Sequence, residues 1–552
     1  MRRRRLLRRA VPIGGLAVAA FAAGAVWATA PGRTERQLVT RYVQAWGHAD
    51  YAQMYTLLDP ASQRRTPEPK FGSELHAAAA TATLSSLRVI HVGSVSGNSI
   101  AVQMRVSTRL WGLLRETLRV PLTTSGSGTR VHLSGALLFP GLRAGESLHR
   151  QIALPPRGTL LAGDGTPLAQ GPDRSSPIPD VAGQIVGTVG PIPAAQARAY
   201  AAQGHPAGAK VGLDGLERIF ERRLEGRPGG RLLAGHRVLA SSSPVPALPV
   251  RTTIDPTLER AAVSAMGGQY AGIAVMNPRN GALLALAGIA FSALQPPGST
   301  MKIITASAAL TAGLVKLSST FPIQTAATVN GYMLQNAGGE ACGGTLLNAF
   351  AVSCNSVFVP LGVRIGAARL VGMARRFGFD QTPSIPGAAE SLIPSPTTIG
   401  DDLAVGSSAI GQGLVQSTPL EMTDVAATIA MGGRRPIPTL LANQKPRFVR
   451  VTTPHVAHEV QTMMEAVVGF GTGVAAQIPG VLVAGKTGTA ELGNTATTSA
   501  GSPHNTDAWF VGYAPAGHPR FVVGALFPNQ GAGGAVAAPP VHDVLAAALH
   551  KG

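Results

Sequence analysis

Apolar residues beyond position 33 first recur at positions i, i+4, i+7 and i+8, which is the spacing of one helical face. The residues at this spacing are Leu38, Tyr42, Ala45 and Trp46. A second short helix is predicted around Tyr55, and it ends at Asp59 and Pro60.

Apolar and polar residues alternate in the segments that follow, and this alternation is typical of strands. The strand-like segments are residues 87–91, 100–106, 118–120 and 131–133. Helices followed by an antiparallel sheet predict a small α+β domain over residues 34–145.

A second set of strands is predicted at the two ends of the last half of the chain. These strands are residues 271–276, 282–287, 508–513 and 521–527, and a helix around residues 544–549 closes the chain. Strands at both ends with helices between them predict a sheet assembled from both ends of one domain, with a helical region inserted. We place this domain at residues 250–552. A chain of 552 residues exceeds the size of a single core, so several domains are expected.

The N-terminus combines a run of arginines at positions 2–9 with an uncharged stretch from residue 10 to 30. Such a stretch is long enough to cross a bilayer as a helix. The arginines would stay in the cytoplasm. Residues 1–30 are therefore predicted to anchor the protein in the membrane, with the rest of the chain outside the cytoplasm. The alternative is a signal peptide that is cleaved after Ala28-Thr29-Ala30.

The formal net charge is +19, and it is built mainly from arginine, because only seven of the 47 basic residues are lysines. The chain contains no zinc-finger spacing and no basic helix, so we do not expect nucleic-acid binding. In an exported protein this charge suits anionic partners such as lipid headgroups and wall polymers. The two cysteines, Cys342 and Cys354, fit either one disulfide or two buried thiols, and their number does not decide between these.

The segment Pro297-Gly298-Ser299-Thr300-Met301-Lys302 precedes an apolar run that is predicted to be helical. Ser299 and Lys302 would therefore lie one turn apart on the same helix face. A serine nucleophile needs a nearby base. A lysine can serve when burial and a neighbouring positive charge lower its pKa, whereas an arginine cannot.

Two further motifs accompany this pair. The first is Ser353-Cys354-Asn355, in which Ser353 could relay a proton and Asn355 could bind a substrate amide. The second is Lys486-Thr487-Gly488-Thr489, which follows a predicted strand at residues 481–483. Lys486 would attract a substrate carboxylate and disfavour protonation of Lys302, and Thr487 would offer a hydroxyl to the same carboxylate. Gly488 would let a substrate backbone lie close along the strand.

The S-x-x-K, S-x-N and K-T-G motifs in this order are typical of penicillin-binding proteins, and the chain resembles class B penicillin-binding proteins, the monofunctional peptidoglycan transpeptidases. Further segments resemble the same family: residues 157–169, 212–217, 224–226, 411–419, 471–473 and 508–512. The resemblance implies a multidomain α+β protein with a serine β-lactamase-like transpeptidase domain. An elongated linker domain at residues 150–248 would precede that domain. Residues 34–145 resemble the NTF2-like domain of some family members.

The resemblance also implies a role for each site residue, with no cofactor and no metal. Ser299 would be acylated by the D-Ala-D-Ala end of a peptidoglycan stem peptide, and Lys302 would act as its base. The backbone N–H groups of Ser299 and Thr489 would form the oxyanion hole. A neighbouring amine would then accept the acyl group, and β-lactams would trap Ser299. Glycosyltransferase, divisome or elongasome partners are expected for such a protein.

Several other functions share some of these motifs. A D,D-carboxypeptidase uses the same residues with water as the acceptor. A class A β-lactamase needs a deacylating glutamate in an E-x-x-L-N segment, which does not follow Asn355. A non-enzymatic cell-wall scaffold would not need all the catalytic side chains. A bifunctional glycosyltransferase is disfavoured, because the region before residue 154 is too short for a second enzyme domain.

Overall fold

The computed structural model describes residues 32–126, 128–492 and 505–550. Its contacts divide the chain into two compact units. Among the described residues, the first unit comprises 32–126, 128–157, 190–211 and 225–247. The second unit comprises 158–189, 212–224, 248–492 and 505–550.

The first unit begins with four helices, α1 Arg33–Gly47, α2 Tyr51–Thr56, α3 Pro60–Arg65 and α4 Glu68–Thr81. Four antiparallel strands follow in the order β1-β2-β3-β4: β1 Leu84–Ser96, β2 Ser99–Thr108, β3 Gly112–Ser125 and β4 Gly128–Val131. This arrangement confirms the expected helices and antiparallel sheet. The helices cover one face of the sheet around buried Tyr42, Trp46 and Phe71.

The boundary predicted at Asp59 and Pro60 is wrong, because these residues begin a helix rather than end one. The Asp59 carboxylate accepts a hydrogen bond from the backbone N–H of Ser62 at 2.8 Å, which caps α3. Pro60 follows as the first helical residue, where its missing N–H leaves no donor unpaired. The preceding helix, α2, already ends at Thr56.

The middle of the chain consists of short elements. These are β5 Leu148–Ala153, β6 Leu160–Leu161, β7 Pro167–Ala169, α5 Pro179–Ile185, β8 Val189–Pro191, α6 Ala197–Gln203, β9 Lys210–Gly212, α7 Gly215–Ile219, α8 Glu221–Leu224, β10 Gly229–Ala234, β11 Arg237–Ser242 and β12 Val250–Arg251.

The contacts assign these elements to both compact units, and the linker domain expected at residues 150–248 stays a prediction. Strands β5, β10 and β11 pair with one another in the first unit. Strands β6 and β7 instead join β12 in the second unit. Strand pairing between residues far apart in the chain therefore divides this segment.

The second unit continues with many elements. These are α9 Pro256–Ala265, β13 Gly272–Asn277, β14 Ala282–Gly288, α10 Lys302–Thr311, β15 Thr320–Gln324, β16 Ala326–Val329, β17 Tyr332–Gln335, β18 Cys342–Thr345, α11 Leu346–Ala351, α12 Asn355–Ile365, α13 Ala367–Phe377, α14 Pro396–Ile399, α15 Asp402–Ala409, α16 Pro419–Ala430, β19 Arg434–Pro436, β20 Phe448–Arg450, α17 Pro454–Gly469, β21 Ala484–Glu491, β22 Thr506–Ala514, β23 Phe521–Phe527, α18 Gly533–Val536 and α19 Ala538–His550.

A five-stranded antiparallel sheet organises the second unit, with the order β14-β13-β23-β22-β21. It combines strands from both ends of the domain, as the sequence predicts. Every residue of β22 is buried, because one face of the sheet packs against α9 and α19 and the other against the inserted helices. Strand β21 lies at the edge of the sheet and carries the Lys486 motif.

Among the residues that the structure describes, no single helix has the length and apolar composition needed to cross a membrane. The bent pair α12 and α13 meets both criteria only when the two helices are taken together. The anchor predicted at residues 1–30, with its alternative cleavage site, lies outside the described residues.

Candidate active site

Ser299 lies in a single 3-10 turn, Gly298–Met301, directly before α10. Gly298 adopts a left-handed backbone with φ +53° and donates its N–H to the Gly411 carbonyl at 3.0 Å. A Cβ at Gly298 would lie 2.9 Å from the backbone of Thr489. Only glycine therefore fits the junction between this turn, β21 and the loop at Gly411, and this junction positions the half-buried Ser299.

Lys302 follows one turn later, and its side chain is completely buried. Its Nζ donates to the Ser353 carbonyl at 2.7 Å, to the Asn355 Oδ1 at 2.8 Å and to the Ser353 Oγ at 3.2 Å. Burial, together with the nearby Lys486, lowers the pKa of Lys302 well below its ordinary value. Within the described residues, neither lysine forms an ion pair with a carboxylate, so no negative charge in contact with them opposes this shift.

Ser353 bridges the two lysines. Its Oγ lies 3.2 Å from the Lys302 Nζ and 2.9 Å from the Lys486 Nζ. Its backbone has φ +63°, a conformation that residues other than glycine adopt rarely. A serine held in this conformation between two amines points to a functional constraint.

Asn355 begins α12 beside this bridge. Its side-chain oxygen accepts from Lys302, and its Nδ2 donates to the carbonyl of Gln335 at 2.8 Å. Asn336 continues the contact, because its side-chain oxygen accepts from the backbone N–H of Ser356 at 2.8 Å. The hairpin β16–β17 therefore helps to hold the second motif.

Lys486 lies on the edge strand β21, and its side chain is also completely buried. Burial lowers its pKa to about 7. The Thr487 hydroxyl lies 2.5 Å from that of Thr472, and the Thr489 hydroxyl accepts from the N–H of Gly533 at 3.2 Å. The predicted strand at residues 481–483 is wrong in its boundaries, because β21 begins at Ala484.

Gly488 has a packing role that the sequence did not indicate. A Cβ at this position would lie 2.8 Å from both the Pro297 carbonyl oxygen and the Trp509 Cβ. The absent side chain therefore lets β21 approach the turn that carries Ser299.

The two cysteines form a disulfide, which settles a pairing that the sequence left open. The bridge joins Cys342 on β18 to buried Cys354, with a Cα–Cα distance of 5.8 Å. Cys354 stands between Ser353 and Asn355, so the disulfide attaches the second motif directly to a strand.

The structure brings all three predicted motifs together around Ser353. It also adds two aromatic rings that sequence reasoning missed. Lys302 lies 5.4 Å from the ring centroid of Phe358, and Lys486 lies 5.6 Å from that of Phe350. The sequence offered one signal for these rings, which is their closeness to the second motif. The residue type alone does not single them out, because buried aromatics are common in any core.

Comparisons with known proteins find similar sequences over the second half of the chain and part of its middle. The family model described as "Penicillin binding protein transpeptidase domain" matches residues 271–546, and "Penicillin-binding Protein dimerisation domain" matches residues 164–237. The peptidoglycan D,D-transpeptidase PbpA of Mycobacterium tuberculosis is 37% identical over 290 residues, which cover 47% of this chain and 56% of that protein. The match thus spans just over half the length of this relative.

Solved structures are also similar. Penicillin-binding protein A of M. tuberculosis, determined as its imipenem acyl-enzyme complex, matches with a TM-score of 0.57 and 27% identity, covering 72% of this chain and 99% of that one. Pseudomonas aeruginosa PBP2 in complex with WCK 5153 matches with a TM-score of 0.63 and 26% identity, covering 73% of this chain and 97% of that one. The family match extends over half of the chain and includes Ser299, Lys302, Ser353, Asn355 and Lys486. The chain therefore belongs to the penicillin-binding protein transpeptidase family.

Proposed function

We propose that this protein is a peptidoglycan D,D-transpeptidase that crosslinks stem peptides through an acyl-enzyme on Ser299. The observation that carries the proposal is the buried Lys302, with a strongly lowered pKa, one turn from Ser299. A neutral amine in this position is the base that a serine nucleophile requires.

In the acylation step, the Ser299 Oγ attacks the carbonyl carbon of the penultimate D-Ala, and its proton passes to the neutral Lys302. The backbone N–H groups of Ser299 and Thr489 stabilise the oxyanion that develops. The C–N bond then breaks. Ser353, which contacts both lysines, relays the proton to the leaving amine of the terminal D-Ala.

In the transfer step, the amine of a second stem peptide attacks the ester carbon, and Lys302 again takes the proton. The ester C–O bond breaks, and the Ser299 Oγ recovers its hydrogen. The products are a crosslink and free enzyme, so the reaction needs no cofactor or metal. A β-lactam would follow only the first step and leave Ser299 acylated.

Lys486 gives the site a way to respond to its substrate. With a pKa of about 7, this amine is only partly charged near neutrality. A substrate carboxylate bound beside Lys486 and Thr487 favours the protonated form and raises that pKa. The added charge in turn disfavours protonation of Lys302, so substrate binding increases the supply of neutral base. Asn355 and the edge strand β21, with Gly488, would align the donor peptide.

Covalent labelling tests the acylation. A fluorescent penicillin should label the protein at Ser299, and Ser299→Ala should lose the label. The matched control is Ser292→Ala, which removes an exposed serine from the preceding segment and should leave labelling unchanged. Labelling that persists in Ser299→Ala would contradict the assignment.

A second assay separates transpeptidase from D,D-carboxypeptidase activity, which uses the same residues with water as the acceptor. Purified protein and lipid-linked substrate should yield crosslinked dimers together with free D-Ala. Release of D-Ala without dimers would instead identify a carboxypeptidase.

The relatives also support a cell-envelope setting. A transpeptidase must meet peptidoglycan outside the cytoplasm, and the uncharged stretch at residues 10–30 suits a membrane anchor. We therefore propose that residues 1–30 hold the enzyme in the membrane with both compact units outside, beside glycosyltransferase, divisome or elongasome partners. Retention of the N-terminal residues in the mature protein, read by mass spectrometry, tests the anchor against a cleaved signal peptide.

A further inference from the structure

The sheet β1–β4 has one face against helices and one face in solvent. The alternation of buried and exposed residues along β2 distinguishes the two faces. Among the residues that the structure describes, the solvent face carries five arginines and no aspartate or glutamate. The arginines are Arg88, Arg105, Arg115, Arg119 and Arg130, and all of them are exposed. We call this surface the arginine face.

Three of these arginines stand directly opposite one another on neighbouring strands. Arg88 on β1 pairs with Arg105 on β2, and Arg105 pairs with Arg115 on β3. Directly opposite residues in an antiparallel sheet have Cβ atoms about 4.5–5.5 Å apart, and like charges in such pairs destabilise the sheet. This row of three like charges therefore destabilises the sheet.

The described structure contains nothing that offsets this repulsion. None of the five guanidinium groups forms an ion pair or a hydrogen bond within it. Glu116 is the carboxylate on the same strands, but it pairs with buried Met104 and so belongs to the other face. A cationic surface that is unpaired in the protein is suited to an anionic partner.

The chain places one end of this sheet close to the proposed membrane anchor. Gly32, just before α1, packs against Val95 near the end of β1, where a Cβ on Gly32 would lie 2.6 Å from the Val95 Cγ2. The proposed span ends at residue 30, and two or three extended residues reach at most about 10 Å. Under that proposal, this end of the sheet lies at the bilayer surface, with Arg119 and Arg130 nearest to it. Arg88 lies seven residues farther along β1, roughly 20 Å away, so its row reaches the bilayer when the face lies along the membrane.

The chemistry of the arginine face suits phospholipid headgroups. A guanidinium group presents a planar fork of donors that matches phosphate oxygens. Exposed Leu113 lies on the same face, opposite Ser107, and exposed Ile90 lies in an irregular part of β1. Apolar side chains beside basic ones are typical of surfaces that bind at a membrane interface.

We propose that the arginine face binds the phosphate groups of anionic phospholipids in the membrane that anchors the chain. This inference rests on the anchor proposed above. It assigns a role to the first unit, which contains none of the catalytic motifs: the first unit is held against the bilayer by two attachments, the anchor and the arginine face.

Arginine modification can test this contact on the full chain. The protein is reconstituted in nanodiscs of phosphatidylcholine, either alone or mixed with phosphatidylglycerol, and treated with phenylglyoxal. Mass spectrometry then gives the modification rate at each arginine. We expect the arginines of the face to react roughly fivefold more slowly when phosphatidylglycerol is present. Sodium chloride at 0.5 M should remove the difference by screening. Arg222 and Arg223, which are exposed in the second unit, serve as internal controls.

A matched pair of variants provides a second measurement. The triple variant Arg88→Gln/Arg105→Gln/Arg115→Gln should leave Arg119 and Arg130 unprotected in phosphatidylglycerol nanodiscs. The control Arg222→Gln/Arg223→Gln should keep the protection of the face. The substituted residues are exposed and mutually repelling, so folding is expected to persist in both variants.

Two outcomes would overturn the proposal. One is equal modification of the arginine face in both nanodiscs. The other is protection that depends only on added poly(glycerol phosphate), which would assign the face to a wall polymer instead. Penicillin labelling of Ser299 is measured in each sample. Retained labelling with an unprotected face rejects the lipid contact alone, whereas absent labelling counts against the proposed enzyme.

Discussion

At the residue scale, the site depends on two lysines that are buried without a carboxylate partner in the described structure. Burial disfavours the charged form of each amine, and the pair disfavours double protonation further. The pKa of Lys302 is lowered by both effects, whereas burial alone lowers that of Lys486 to about 7. Under the proposed mechanism, one residue type therefore performs two tasks, with Lys302 as the base and Lys486 as the anion-binding group.

The first prediction concerns pH. The rate of penicillin acylation should rise as pH rises through the lowered pKa of Lys302, because only the neutral amine accepts the Ser299 proton. It should fall again above about pH 7, where Lys486 loses the charge that attracts the β-lactam carboxylate. Stopped-flow measurement of the second-order acylation rate between pH 5 and pH 10 checks this profile.

Lys302→Arg provides the comparison for that profile. Arginine stays protonated, so acylation should fall by roughly 10²–10⁴-fold at every pH. A variant that kept both a bell-shaped profile and its rate would exclude Lys302 as the base.

The second prediction concerns the Ser353 hydroxyl. Ser353→Gly removes it and also suits the left-handed backbone at φ +63°, so we expect a loss of about 10²-fold in acylation with unchanged or improved thermal stability. Ser353→Ala should lose the same activity and also some stability, because alanine retains the backbone strain. Equal acylation by the wild type and the glycine variant would show that the hydroxyl carries no proton.

At the scale of elements, the active site is a junction where a turn, an edge strand and a loop meet without side chains between them. Gly298 and Gly411 make the contact on one side of the turn, and Gly488 makes it on the other. Each glycine is required by a close approach of backbones. The spacing of the site residues therefore depends on the absence of a side chain at each of these three positions.

The third prediction tests this junction. In Gly488→Ala, the new Cβ would lie 2.8 Å from the Pro297 carbonyl oxygen and must displace the Ser299 turn. We expect a stability loss of about 1–3 kcal/mol in chemical denaturation, together with slower penicillin acylation. Gly517→Ala is the control, since a Cβ there meets nothing within 4 Å. Full activity in Gly488→Ala would show that the turn tolerates movement.

The fourth prediction concerns the disulfide between β18 and the second motif. The bridge joins residues separated by 12 positions, so its loss should destabilise the second unit by about 3 kcal/mol. Cys342→Ala removes the bridge while keeping buried Cys354 in place, and penicillin acylation should fall because Ser353 and Asn355 flank the freed cysteine. Dithiothreitol should produce the same loss in the wild type and none in Cys342→Ala. An unchanged acylation rate, both in Cys342→Ala and in the reduced wild type, would show that helices α11 and α12 hold the motif without the disulfide.

At the scale of the whole molecule, the five-stranded sheet explains how widely separated motifs meet. Helix α10 and the second motif lie in the inserted region, whereas the third motif lies on β21 close to the C-terminus. Antiparallel pairing of β13 with β23 brings the two ends of the domain together. Buried apolar residues pack against both faces of this sheet.

The fifth prediction concerns the net charge of +19. Mutual repulsion among the excess cations destabilises the compact state, and salt screens it. The melting temperature of the full chain in neutral detergent should rise by about 2–4 °C between 0.05 M and 0.5 M sodium chloride. Arg105→Gln removes the central member of the opposed arginine row and should show a smaller rise. A melting temperature that falls with salt would mean that attractive ion pairs dominate instead.

Local sequence patterns were sufficient to predict the candidate site residues and much of the secondary structure. Ser299 and Lys302 are close in the chain, so a helical turn was enough to pair them. Local patterns likewise predicted β1, β2 and β3, four of the five strands of the second sheet, and the helices α1 and α19, whereas the strand predicted at residues 481–483 missed β21. These features depend on local geometry, which a short stretch of sequence encodes.

Features that join residues far apart in the sequence became visible in the folded chain. The fold brought Ser353 between Lys302 and Lys486, paired Cys342 with Cys354, and divided residues 150–248 between two compact units. It also aligned Arg88, Arg105 and Arg115 in one row, since strand register depends on pairing across the sheet. Such contacts arise from the packing of the whole chain, and no local pattern contains them.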